Sequence, residues 1–287
     1  RYHLAKVGDI DANGGVNARK FLFAPEVLPF LHNGVIKTMV LVGSGNREKP
    51  LPNFQSDGSP NSLTCSSLYT DTYYPSSSSN KINDRFFGLL DPVQSGATEA
   101  TVNSDPIVLG DLQQINSNTL ATTTLTPFSL SSSERGWHIL LRNDPDGNGT
   151  RNEEKSVNSA KVVAGVVFFA TNTPVSPNPS AGVCSNLGEA LGYAVDPFTG
   201  MPAINRDEST SGGVATYTSA DFSTKFSGGG LPPTVTAGVV SIGGTPYRFI
   251  IGSGGASLTS ASSIAGARSV INLRGTRSRL YWSYGAD

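Results

Sequence analysis

The sequence predicts an all-β fold. Short runs of Val, Ile, Phe and Tyr recur along the chain, with turn-forming residues between them. Helical periodicity is nearly absent. Only 15% of the residues are charged, against 32 Gly and 18 Pro, which suits many short strands joined by turns better than amphipathic helices.

The expected strands, in chain order, are Tyr2–Val7, Ile36–Gly43, Arg85–Asp91, Pro106–Leu109, Trp137–Leu141, Val162–Ala170, Gly192–Val195, Thr234–Ile242, Tyr247–Gly252, Ser269–Leu273 and Arg279–Tyr284. Val40-Leu41-Val42 reads as a buried strand that stops at the turn Gly43-Ser44-Gly45. Arg85–Asp91 has a charged start and an aromatic, apolar body. Val166-Val167-Phe168-Phe169 is continuously apolar, so both faces of that strand are expected to be buried. Ser185–Leu191 allows one helical turn, and Ala12–Asn17, Pro52–Asn80 and Ala203–Ser227 read as exposed loops. The 52–80 segment is long and Ser-rich, the kind of connection that often carries binding residues.

Some strands form similar pairs. Val166–Phe169 is followed by Tyr193–Asp196, and Val235–Ile242 by Tyr247–Gly252. This self-similarity predicts a β-propeller of four-stranded antiparallel blades, about four or five of them at roughly 40–50 residues each. A β-sandwich is the alternative that the same spacing allows. The chain starts at an arginine that leads straight into a strand-like segment, without a signal pattern, and reads as a fragment of a longer protein.

Several segments, in a consistent order, resemble the C-terminal β-propeller of the PilC/PilY family of type IV pilus-associated proteins. Val40–Leu51 resembles its "VGSGDRE-PL" strand end, and Asn83–Asp91 its "NRFF-LxD" strand. Arg19–Glu26, Gly136–Leu141, Val162–Ala170, Cys184–Gly200 and Arg279–Trp282 resemble five further segments. The resemblance implies that residues 1–287 are part of a C-terminal propeller domain whose N-terminal blades and N-terminal domain are absent. It also implies a location outside the cell or on its surface, at the pilus tip or outer membrane. The implied role is in pilus assembly, adhesion and twitching motility, through contacts with pilin or minor pilins and with a host-surface or substrate receptor.

The net charge of −1 and the lack of a basic tract argue against nucleic-acid binding. No apolar run approaches the roughly 20 residues of a membrane-spanning helix. Cys65 and Cys184 are too few for a thiolate zinc site, and one disulfide, free thiols or pairing elsewhere all remain open.

Two segments place oxygen ligands as a calcium loop does. Asp144, Asp146 and Asn148 occupy alternate positions before Gly149, which suits a chain curling round a hard cation. The twelfth position is Lys155 instead of a bidentate Glu, leaving Glu153 or Glu154 as substitutes. If a metal binds, Ca2+ at this loop is the expectation, and the competing reading is a solvated acidic turn. Asp9, Asp11 and Asn13 repeat the opening, with Lys20 twelfth, and read more simply as a turn between two strands.

No catalytic motif emerges, and the expectation is a protein without enzymatic activity. His3, His32 and His138 lack spaced partners, and there is no Gly-x-Ser-x-Gly elbow. Neither Gly-rich stretch, at 43–45 or 252–255, continues into a Lys-Ser/Thr phosphate loop. Arg47, Glu48, Asp84 and Arg85 are expected to pair and fix neighbouring blades, the alternative being that they line a face or channel. Arg274, Arg277 and Arg279 read as protection of a strand edge. Two other functions fit the architecture. A quinone-dependent enzyme is disfavoured by the lack of adjacent cysteines and by having only Trp137 and Trp282. A carbohydrate-binding propeller would use Tyr69, Tyr73, Tyr74 and Trp137.

Overall fold

The computed structural model describes residues 4–7, 9–10, 16–17, 19–47, 51–52, 70–71, 84–91, 105–116, 125–141, 154–163, 165–173, 188–205, 208, 210–226, 230–232, 234, 236–242 and 245–251. The described residues are β-structure with two short 3-10 turns, at Leu109–Asp111 and Ser219–Phe222.

Two open sheets dominate. In the first, Glu26–His32, Val35–Gly43, Arg85–Asp91 and Gly136–Leu140 lie side by side, antiparallel and in chain order. Gln113–Gln114 adds a short parallel fifth strand beside Gly136–Leu140. In the second, Val166–Thr173, Glu189–Val195 and Ser223–Lys225 are antiparallel neighbours. Lys155–Ser156 and Lys161–Val163 share the remaining edge of Val166–Thr173, at opposite ends of it. Each sheet is thus a four-row antiparallel meander, with a fifth strand that extends one sheet and splits an edge row of the other.

Side-chain alternation buries both faces of the inner strands Arg85–Asp91 and Val166–Thr173, while the edge strand Glu26–His32 leaves Val27 and Leu31 exposed on one face. Phe86 points into a core between the sheets, where Met39, Leu41, Trp137 and Ile139 meet Val167, Phe169, Leu191, Tyr193 and Val195. Phe87 points the other way, into a second core with Leu89, Val7, Ile107 and Leu112. In the second sheet Phe169 joins the shared core, and Phe168 packs on the far face with Val166 and Ala194. A two-layer sandwich leaves its outer faces to solvent and crosses strands between its sheets. Antiparallel meanders whose inner strands are buried on both faces match the expected four-stranded propeller blades rather than the two layers of a sandwich.

The Val166–Val195 pairing follows the expected self-similar pair, with Val167 opposite Val195 and Phe169 opposite Tyr193. Thr236–Ile242 and Thr245–Ile251 form the other.

Several expectations are corrected. Val162–Ala170 is two strands, because Gly165 takes a left-handed φ of 83° and turns the chain between them. Within the expected Tyr2–Val7 strand, Ala5–Lys6 pairs with Ile107–Val108, and Tyr2 and His3 lie outside the described residues. Strand geometry at Glu189–Leu191 replaces the end of the expected helical turn, because Leu191 is needed in the shared core. The expected 203–227 loop contains a small hairpin at Thr210–Ala215 and the blade strand Ser223–Lys225, with Phe222 and Phe226 anchored inside. Within the expected 52–80 loop, Thr70–Asp71 pairs with Leu51–Pro52. Ser269–Leu273 and Arg279–Tyr284 lie outside the described residues.

Candidate functional site

A cluster of buried polar side chains lies where the sheets meet. The strand Val35–Gly43 ends at Ser44, and Asp84 sits just before Arg85–Asp91 in the neighbouring row. The Ser44 hydroxyl donates to Asp84 Oδ1 at 2.8 Å and accepts the Arg85 backbone N–H at 2.9 Å. Lys155, from the second sheet, brings Nζ to 3.2 Å from Asp84 Oδ2. The backbone N–H of Ser156 donates to the Ser44 carbonyl at 3.0 Å, and that of Leu141 to the Asp84 carbonyl at 3.1 Å.

The glycines of this strand end provide room for that contact. A Cβ on Gly43 would lie 2.2 Å from Ser156 Oγ, and one on Gly45 would lie 2.8 Å from the Lys155 Cβ and the Ser156 carbonyl. No side chain fits at those separations, so the Gly-Ser-Gly run lets two backbones meet.

Glu154, next along, is only 1% exposed. Its Oε1 accepts hydrogen bonds from the hydroxyls of Tyr193, at 2.6 Å, and Thr171. Tyr193 stacks on Phe169 at 4.6 Å between centroids, and Phe169 on Phe86 at 3.8 Å. An aromatic column therefore runs from the second sheet into the first.

On the other face of the first sheet, Arg85 Nη1 lies 3.2 Å from His138 Nδ1. Burial, then the charges of Arg85 and Arg19, push His138 down to about 3. The ring is therefore neutral, and Nδ1 accepts from the guanidinium. Arg19 donates to the Val7 carbonyl at 2.7 Å and lies over the Phe87 ring. At the opposite side of the shared core Asp196 Oδ1 accepts the N–H groups of Phe198 and Thr199, both at 2.8 Å. The Pro197 carbonyl accepts the Trp137 indole N–H at 3.0 Å. This Asp-Pro-Phe-Thr-Gly turn pins the second sheet to the first.

Asp84 therefore does bridge the sheets, as expected of charges at strand ends. Arg85 lies inside beside His138, and Arg47 lies over the ring of Phe23 at 5.9 Å. Of the calcium-loop residues, Asp144, Asp146, Asn148 and Glu153 lie outside the described residues, and Glu154 is turned inward. Lys155, at the twelfth position, reaches Asp84. Asp9–Ile10 pairs with Val16–Asn17, which supports the turn between strands expected there, while Asp11 and Asn13 lie outside the described residues. So do Glu48, Cys65, Cys184, His3, Arg274, Arg277, Arg279 and the tyrosines at 69, 73 and 74. Trp137 is fully buried in the shared core, which removes it from the alternative of a carbohydrate-binding surface.

Sequence reasoning missed Ser44, Lys155 and the inward role of Glu154. The sequence around Glu154 and Lys155 is polar, so nothing local marks them as buried. Among the described residues no group of three or more His, Cys, Asp or Glu is placed to hold a metal ion, and no helix is long and apolar enough to cross a membrane.

No family model matches the chain, and none of the curated proteins matches it. Among solved structures, it is similar to the C-terminal domain of PilY1 from Pseudomonas aeruginosa, with 16% identity and a TM-score of 0.47 over 87% of this chain. The chain spans 46% of that solved chain.

Proposed function

We propose that this chain is part of a surface protein associated with type IV pili, acting through protein–protein contacts and without bond-making turnover. The observation that carries the reading is the ordered set of family-like segments, and the way the fold uses them together. Val40–Gly45 and Asp84–Asp91 are locked through Ser44 and Asp84. Gly136–Leu141, Val162–Ala170 and the Asp196–Gly200 turn all contribute to the core beside them or to its border. Segments that sustain one packing arrangement support a shared domain, and a shared domain supports a shared task. In this reading the protein sits at the cell surface or pilus tip, contacts pilin or minor pilins, and supports assembly, adhesion and twitching. Any Ca2+ would bind at the 144–154 loop.

The test is deletion of the gene in its host, followed by counts of surface pili and measurement of twitching zones. Loss of both, restored by the full-length gene, is expected. Unchanged pili and motility would overturn the proposal. Dye-linked oxidation of alcohols or sugars by the purified protein, dependent on added quinone and calcium, would replace it with the enzyme reading.

A further inference from the structure

The Asp84–Lys155 pair differs from the exposed pairs that Lys161 and Lys225 make in where it sits. Lys161 and Lys225 meet Glu26 and Glu189 with side chains 46% and 67% exposed. The Lys155 and Asp84 side chains are 6% and 5% exposed. They come from different sheets and are 71 residues apart in sequence. Nζ lies 3.2 Å from Oδ2, an ion-pair distance that holds the amine beside the carboxyl group it would attack.

We propose that Asp84 and Lys155 become joined by an intramolecular amide bond, a covalent clasp between the two sheets. The reaction starts from the neutral pair, formed when a proton passes from Nζ to Oδ2. Lysine supplies an amine nucleophile, and its flexible stem lets Nζ reach the carboxyl carbon. The Nζ lone pair attacks Asp84 Cγ, and the carbonyl electron pair moves onto Oδ1. The Ser44 hydroxyl, 2.8 Å from Oδ1, donates to the oxygen on which charge develops. As the intermediate collapses, the Cγ–Oδ2 bond breaks, and a second proton from nitrogen leaves with Oδ2 as water. One acid and one amine give one amide and one water, so no oxidant, metal or activating co-reactant is required. The surroundings favour the product twice over. A buried ion pair is replaced by a neutral amide, which removes the desolvation cost of two charges. Bulk water, which would drive hydrolysis, is kept away from both side chains.

Ser44 acts here as a positioning residue for Oδ1, and the Gly43 and Gly45 backbones allow the approach of the Lys155 strand. The inference rests on the geometry of the pair alone and stands whether or not the proposed pilus role is correct.

The experiment is intact-protein mass spectrometry of the purified chain under denaturing, reducing conditions, followed by tandem analysis of its proteolytic peptides. The expected mass is that of the sequence less one water, with a branched peptide joining Asp84 to Lys155. Lys155→Arg and Asp84→Ala, which cannot form the bond, should each return the full mass expected for their own sequence. Ser44→Ala should slow the loss of water when refolded chain is sampled over time. A wild-type chain at full sequence mass after prolonged folding would overturn the proposal, as would a water loss that persists in Lys155→Arg.

Discussion

Gly43 lies in ordinary extended backbone, so its requirement is for space. Ser156 occupies the volume a side chain would fill, with Oγ 2.2 Å and Cβ 2.4 Å from an added Cβ. Gly43→Ala should therefore destabilise the fold by about 1–3 kcal/mol, as overpacking does. Ser156→Gly in the same chain should recover much of that loss, because it removes both clashing atoms, and chemical denaturation of the four variants measures the coupling. His138 gives a second test at this scale. Its pKa is depressed to about 3 in the folded chain from an ordinary 6.5, by burial first and then by Arg85 and Arg19. Between those values the unfolded chain binds more protons than the folded one, so stability falls as pH drops. The contribution is complete above about 6.5 and is lost progressively down to about 3. His138→Gln should flatten the decline in melting temperature between pH 7 and pH 4 relative to wild type. Identical slopes would show that the acid sensitivity lies in other groups.

At the scale of strands, the apolar run Val166–Phe169 supports the clearest expectation. Phe169 is 0% exposed in the shared core and Phe168 is 3% exposed on the far face. Replacing either with Ala should cost about 3–5 kcal/mol, read from the shift in a denaturation midpoint. Phe169→Ala should be the worse, since it breaks the stack between Phe86 and Tyr193. Burial on both faces was legible here because four successive residues are apolar, which a half-exposed strand does not need. The strand Glu26–His32 was not legible. Pro29 in its middle argues against a strand, and only its place on a sheet edge makes that proline tolerable. The signal that would have found it is Asn33-Gly34, whose φ values of 51° and 78° fit the tight turn of a two-residue hairpin. The bridge at Asp84 was legible as an expectation about charges at strand ends. Its partner Lys155 was not, because 71 residues separate them and contacts across sheets leave no local period.

At the scale of the molecule, the two sheets share one core and have no independent interface to part along. Thermal unfolding followed by far-UV circular dichroism and by tryptophan fluorescence should therefore show coincident transitions for this pair of sheets. Trp137 reports on that core directly, from between the sheets. Well-separated transitions would mean that each sheet is stable alone. The first sheet also carries Val27, Leu31 and Ile36 at 57%, 70% and 59% exposed, at the rim of the face that buries Phe87 and Leu89. The seam has one more consequence. Asp84 receives the chain at both ends of the 142–153 stretch, taking the Leu141 N–H on its carbonyl and Lys155 on its carboxylate. A stretch whose two ends are gripped by the same residue transmits little of its own length to the fold. Doubling such a stretch costs only about 0.6 kcal/mol in closure entropy. An insertion between Leu141 and Glu154 should therefore leave the melting temperature of the paired sheets nearly unchanged.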